Sequence, residues 1–203
     1  ALHQELEMPI GIIEAGYPGA SISGWIAEDV HANHPGAAVL RDLRWEMEQR
    51  RKRIDAAHEQ ALAAFHAADA PAVAIEGTRE RVAPVHPLSR AHPASPGAIH
   101  RAMVAPLIPY AIRGVLWDHG QSDATPAHAA GYAGMLGALA DGLRAHWAQR
   151  GGPPLSFLVT QLPAYGDGDE WAWPVLQDAQ RAFADSTPDV GLIVTLPYSD
   201  AQF

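Results

Sequence analysis

Gly114-Val115-Leu116-Trp117 runs directly into Asp118-His119-Gly120-Gln121-Ser122-Asp123-Ala124, and this junction decides the fold. A short apolar run closed by a polar turn around a glycine suits a buried strand of a parallel sheet, delivering its C-terminal end to a loop. The residues downstream repeat the theme. Tyr132, Leu136, Leu139, Leu143 and Trp147 form one apolar stripe along Ala129 to Trp147, the pattern of a helix lying on a sheet. Leu155 to Leu162 is again a strand. Pro174 to Phe183 is a helix whose proline sits in a first turn that has no use for its N–H, and Val190 to Leu196 is a third strand. The order βαβαβ predicts a parallel sheet with right-handed crossovers, helices on both faces, and a ligand site at the C-terminal strand ends.

Working upstream, Leu2 and Leu6 place the end of an amphipathic helix over residues 1–7, and a chain that opens in mid-helix is expected to be processed or part of something longer. Pro9 to Glu14, with Ile10, Ile12 and Ile13, is expected to be a buried parallel strand ending at Ala15-Gly16-Tyr17-Pro18-Gly19. Leu40, Leu43, Met47, Ile54, Leu62 and Phe65 fall at helical spacings between Ala37 and Ala68, giving either one helix of about 48 Å or two shorter ones. Ala83 to Gly97, with Pro84, Pro87, Pro93 and Pro96, is a loop. Three strand-end segments, Ala15 to Ser21, Asp118 to Asp123 and Pro163 to Gly166, are therefore expected to meet at one edge of the sheet.

A formal charge of −9 argues against a nucleic-acid partner, since phosphate binding is driven by clustered Lys and Arg. The one basic run, Arg50-Arg51-Lys52-Arg53, is better explained as a solvated helix face. With no cysteine, disulfides and thiolate chemistry are excluded, and the chain suits either a reducing or an oxidising compartment. No apolar run is long enough to span a bilayer, so no membrane partner is expected. His31-Ala32-Asn33-His34 has the nearest thing to a metal-ligand spacing, but no second pair follows it, and loop histidines are the better account. Asp167-Gly168-Asp169-Glu170 lacks a calcium-loop spacing and is expected to be an exposed acidic turn.

One resemblance organises these pieces. Met103-Val104-Ala105-Pro106-Leu107-Ile108-Pro109-Tyr110-Ala111-Ile112-Arg113-Gly114 leading into Trp117 to Asp123 resembles the sialate O-acetylesterase family, where a Met-x-x-Pro-Leu-x-Pro-Tyr-x-Ile-x-Gly stretch leads into a Trp-x-x-Gly-Glu-Ser-Asn/Asp block. Gln161-Leu162-Pro163 before Tyr165, and Pro9 to Ile13 leading to Gly19 and Trp25, are similar to further segments of that family. The resemblance covers residues 1–35 and 98–200. It implies a single SGNH-hydrolase-like domain over residues 1–203, a three-layer α/β/α sandwich with a mostly parallel sheet (flavodoxin-like), carrying a helical and Pro-rich insertion at 36–97. It also implies hydrolysis of acetyl esters on sugars without a cofactor, and a periplasmic or secreted setting.

By the same analogy Gly19, His119, Gly120, Gln121 and Asp123 would line the oxyanion and substrate region. The chain departs from the family pattern where it matters most. The nucleophile of a Gly-Gln-Ser-Asn turn and the Asp-x-x-His pair have no counterpart in it, and Pro18, which has no N–H, replaces a glycine. Three expectations follow. The chain is part of an esterase completed by other segments or by a second copy; or it is a non-catalytic sugar-binding or interaction domain; or it is an esterase rebuilt around Ser122, with His119 nearby. Against a nucleophilic Ser122 stands the simpler role of capping a turn. Trp171, Trp173 and Tyr165 are either a platform for sugar or helix packing.

Overall fold

The computed structural model describes residues 2–67, 83–108, 110–148, 154–165 and 171–195. Its centre is a sheet of three parallel strands, β1 (Gly114–Asp118), β2 (Ser156–Thr160) and β3 (Val190–Ile193), in the order β1-β2-β3. Between them run α5 (Tyr132–Ala148) and α6 (Ala172–Ser186). The α/β class, the parallel sheet and the βαβαβ order are therefore as the sequence predicts. Pro174 is the third residue of α6, where its missing N–H breaks no intrahelical bond.

Register explains the burial. Val115, Phe157 and Val190 lie abreast on one face, as do Trp117, Val159 and Leu192, and the inner sides of α5 and α6 close over them. Tyr132, Leu136, Leu139, Leu143 and Trp147, the stripe seen in the sequence, are all buried in this core. Two crossovers stepping in the same direction with the same hand put both helices on the same face, and α5 and α6 do pack against each other. The opposite face carries Leu116, Leu158 and Gly191 abreast; Leu116 is 68% exposed and Ile193 42%. Among the described residues no second helical layer covers it.

The N-terminal third adds to the covered side. It comprises α1 (Leu2–Leu6), α2 (Glu28–Asn33), α3 (Ala38–Gln49) and α4 (Arg51–Ala67). Ile22, Trp25, Ile26 and Leu40 join the core, with Trp25 edge-on to Trp117 at 5.8 Å. The turn at Pro35–Ala37 touches α5 so closely that a Cβ on Gly36 would lie 2.0 Å from the Gly134 carbonyl oxygen, so this crossing admits only glycine. The periodic stretch from Ala37 resolves into two helices, broken at Arg50, whose N–H is shared between the Glu46 and Met47 carbonyls. The α4 helix buries none of its residues, and Arg50 to Arg53 are solvent-exposed. His31 lies buried 3.3 Å from Ser23 Oγ, and His34 accepts from the Gly36 N–H and pairs with Asp141. Each of the two thus has a protein partner.

The expected helices on both faces are thus seen on one face only among the described residues, and a second expectation also fails. Pro9 to Glu14 is not a buried strand: the segment has no regular secondary structure and is exposed, with Ile10 at 43%, Ile12 at 81% and Ile13 at 46%. The reason is pairing. A parallel strand is buried only between neighbours, and the one partner of β1 among the described residues is β2. Leu196 and the acidic run 167–170 lie outside the described residues.

Candidate active site at the C-terminal strand ends

At the end of β1 the chain turns through Gly120 at φ 148°, ψ −25°, a conformation that side chains resist, in a space where a Cβ would sit 3.0 Å from a Leu176 methyl and 3.2 Å from Leu162. The glycine lets the turn drop between the ends of β2 and α6. A single 3-10 turn, Gln121–Asp123, follows and carries Asp123 into the interior, where it is fully buried.

Asp123 is the clamp of the site. Its Oδ1 accepts from Ser21 Oγ at 2.7 Å and its Oδ2 from the Ile22 N–H at 2.8 Å, tying the segment that follows Gly19 to the end of β1. His128 Nδ1 lies 2.9 Å from Oδ1 without the alignment of a hydrogen bond, and His119 Nδ1 is 3.7 Å from Oδ2, so both imidazoles sit beside a buried carboxylate. Burying a carboxylate so deeply is costly unless polar partners of this kind surround it.

A second chain of bonds sets the state of His119. Its Nε2 lies 2.7 Å from the Ala20 carbonyl oxygen, which can only accept, so the proton is on Nε2. Nδ1 is then the acceptor for the Tyr132 hydroxyl at 3.1 Å, and that hydroxyl in turn receives the Trp117 Nε1–H across a long 3.4 Å. Burial first, and the negative charge of Asp123 second, hold the Tyr132 phenol well above its ordinary range, so it stays a donor. Both nitrogens of His119 are thus engaged within the protein.

Gln180 completes the frame. From α6 its fully buried amide accepts the Leu162 N–H at 2.8 Å and donates to the carbonyls of His119 at 3.0 Å and Thr160 at 3.2 Å, locking the ends of β1 and β2 together.

The structure brings together much of what the sequence proposed. Ala20 and Ser21, His119, Gly120 and Asp123 converge at one end of the sheet, with Gly19 exposed at φ 72° beside them. Gln121 points outward and is exposed. Ser122 is half-buried and its hydroxyl makes no hydrogen bond among the described residues, so it neither caps the turn nor pairs with His119. The backbone N–H groups of Gly19, Ala20, Gly120, Gln121 and Ser122 likewise have no acceptor among the described residues. Sequence reasoning missed Gln180, Ser21 and His128, and saw Tyr132 only as a core residue. Gln180 left a trace, a polar residue interrupting the apolar stripe Trp173, Leu176, Phe183 of α6. Ser21 was visible only as the end of a strand-end segment, because its partner Asp123 lies 102 positions away, and His128, five residues from Asp123, resembles any other loop histidine.

No protein-family model matches the chain, and no curated protein matches it. Among solved structures it is similar to a carbohydrate acetylesterase from Xanthomonas citri, at a TM-score of 0.65 and 18% identity. The fold is shared with that enzyme. The match covers 100% of this chain and 34% of the other, so the chain spans about a third of the length of the protein it resembles. At this identity the likeness carries the α/β esterase-like architecture, and the chemistry must be argued from the site.

Proposed function

We propose that this chain forms part of a carbohydrate O-acetylesterase domain, hydrolysing acetyl esters on sugars, with its reaction centre at the C-terminal ends of β1 and β2. The observation that carries the reading is the Asp123 clamp, which holds the turn after Gly19 against the turn at Gly120, each with unclaimed backbone N–H groups. Ester hydrolysis needs such donors, fixed in advance, where a carbonyl oxygen becomes an oxyanion. The motif resemblance to sialate O-acetylesterases and the shared fold point to the same chemistry. Sialic acid as the particular sugar rests on the motif resemblance alone.

In this reading a serine attacks the acetyl carbonyl, the backbone donors hold the negative oxygen, and a base takes and returns the serine proton. Asp123 and Gln180 position the turns. His119 is a positioning residue as well, because its Nδ1 accepts from Tyr132 and its Nε2–H is given to the Ala20 carbonyl.

A second reading, a non-catalytic carbohydrate-binding domain on the same fold, is favoured by one observation: no nucleophile and base are assembled among the described residues, with Ser122 unbonded and His119 engaged elsewhere. Acetate release from an acetylated xylo-oligosaccharide and from an aryl acetate separates the two. The purified protein is assayed beside Ser122→Ala, with a serine-directed fluorophosphonate followed by mass spectrometry. Acetate release supports the esterase; an adduct on Ser122 together with loss of turnover in Ser122→Ala makes it the nucleophile. No release and no adduct overturn an esterase that is complete in this chain, and leave either a part of an esterase that other segments complete or the carbohydrate-binding domain.

A further inference from the structure

Tyr165 follows β2 by five residues and is 48% exposed, yet its ring is not loose. It stacks on Trp173 with centroids 4.6 Å apart and planes 30° from parallel. Trp173 is itself buried and anchored, its indole N–H donating to the Pro163 carbonyl at 2.8 Å. Gln177 braces the same turn, donating to the Leu162 and Pro163 carbonyls at 2.8 and 3.0 Å. One face of the tyrosine is therefore seated on a fixed indole and the ring remains half open to solvent. The turn that bears it also packs on the reaction centre, since Leu162 is one of the side chains against Gly120.

An aromatic ring held open by a rigid support presents a flat apolar surface whose ordering has already been met in folding, so a ligand that lies on it loses little entropy. The hydroxyl at its edge adds one donor and acceptor. A pyranose fits both features, with C–H groups on one face and hydroxyls around its rim. A nucleobase fits the ring but not the strongly acidic chain, which carries a net charge of −9.

We infer that Tyr165, supported by Trp173, is the stacking platform for a pyranose unit of the bound carbohydrate, placing that sugar beside the Gly120 turn. This deepens the carbohydrate reading above and rests on it. Trp171, also exposed at 53%, makes no ring contact with the pair and is not part of the stack.

The test is calorimetric titration with xylohexaose, which carries no ester, using the wild-type protein, Tyr165→Ala, Tyr165→Phe, and Trp45→Ala as an exposed tryptophan on a different element. Tyr165→Ala is expected to weaken binding about tenfold, and Tyr165→Phe to keep most of it. Trp45→Ala is expected to bind as wild type does. In a parallel assay Tyr165→Ala raises KM for an acetylated xylo-oligosaccharide by about the same factor as it weakens xylohexaose binding, with kcat changed by less than about twofold. Xylohexaose binding that depends on Tyr165 in a protein that releases no acetate keeps the platform and removes the esterase. Acetate release with sugar affinity and KM indifferent to Tyr165→Ala overturns the platform and leaves the esterase standing.

Discussion

Two apolar segments of this chain meet opposite fates. Leu155 to Val159 in and before β2 and Ile10 to Ile13 near the N-terminus have much the same hydropathy and aliphatic content. Leu155, Phe157 and Val159 are at most 4% exposed, whereas Ile10, Ile12 and Ile13 are all above 40%. What differs is neighbours. β2 has a strand on either side and α5 and α6 over one face, while residues 9–14 have no strand beside them among the described residues. The same contrast recurs within β1, where Trp117 is buried beneath the helices and Leu116, one residue earlier, faces outward at 68% exposure. Apolar character makes burial favourable; only a partner surface makes it happen.

The sharpest way to break this comparison is to truncate matched residues on its two sides. Leu176→Ala removes a side chain with no exposure from the contact of α6 with the sheet and is expected to cost about 2 to 5 kcal/mol in urea unfolding, the range for cavities in packed cores. Should it cost no more than Ile12→Ala, the packing described for α6 is wrong.

The covered side also contains a titratable flaw. His100 is buried with its Nε2 unpartnered among the described residues, its ring 5.4 Å from that of His146, and Asp29 and Arg101 are the charged groups acting on it. Burial above all, then the neighbouring His146, lowers its pKa from 6.5 to about 4. The folded protein then binds the proton less readily than the unfolded chain. Stability should therefore be undiminished by this group above pH 6.5, fall as pH drops from 6.5 to about 4, and level off below, by on the order of 2 to 3 kcal/mol at most. His31, whose pKa is lowered by burial and by Arg41, adds to the slope in the same direction. Urea midpoints at pH 7.5 and 4.5 measure the effect, and His100→Phe should flatten it; an unchanged slope in that variant would assign the loss to other groups.

Next in size is the clamp. Asp123→Ala leaves the Ile22 N–H buried without an acceptor and frees Ser21, an expected cost of about 1 to 3 kcal/mol. Ser21→Ala removes only one donor, which leaves Asp123 its bond to Ile22, and should cost about 1 kcal/mol. Finding the two variants equal in thermal unfolding would mean that the Ile22 bond contributes nothing. On the open side, Ile12→Ala should change stability by no more than about 0.5 kcal/mol, as for surface sites generally. Replacing Ile12 and Leu116 together by serine should reduce the binding of a hydrophobic dye such as 8-anilinonaphthalene-1-sulfonate, which reports on exposed apolar surface.

How far the candidate site was legible follows from the same distinction between local and remote partners. Gly120 and the polar turn around it were visible at once, because a strand that stops at a glycine announces a loop in a few consecutive residues. That Asp123 would reach residues 21 and 22 was not, since the bonds cross 102 and 101 positions. Ser122 and His119 look like a nucleophile and its base when written side by side. In space, His119 is held by Tyr132 and Ala20 and takes no proton from Ser122. The aromatic residues after β2 were visible as a group, but which of them supports which depended on Trp173 turning inward to bond Pro163.

By itself the sequence determined the α/β class, the βαβαβ order, the buried stripe of α5 and the glycine turn that ends β1, since hydrophobic period and turn chemistry act over a few residues. Only the tertiary structure decided that α5 and α6 share one face, that Ile10 to Ile13 stay exposed, that His119 turns its Nε2–H to the Ala20 carbonyl, and that Asp123 and Gln180 lock the ends of the strands. Each of those depends on a partner far along the chain, and burial, tautomer and hydrogen bonding are properties of the pair.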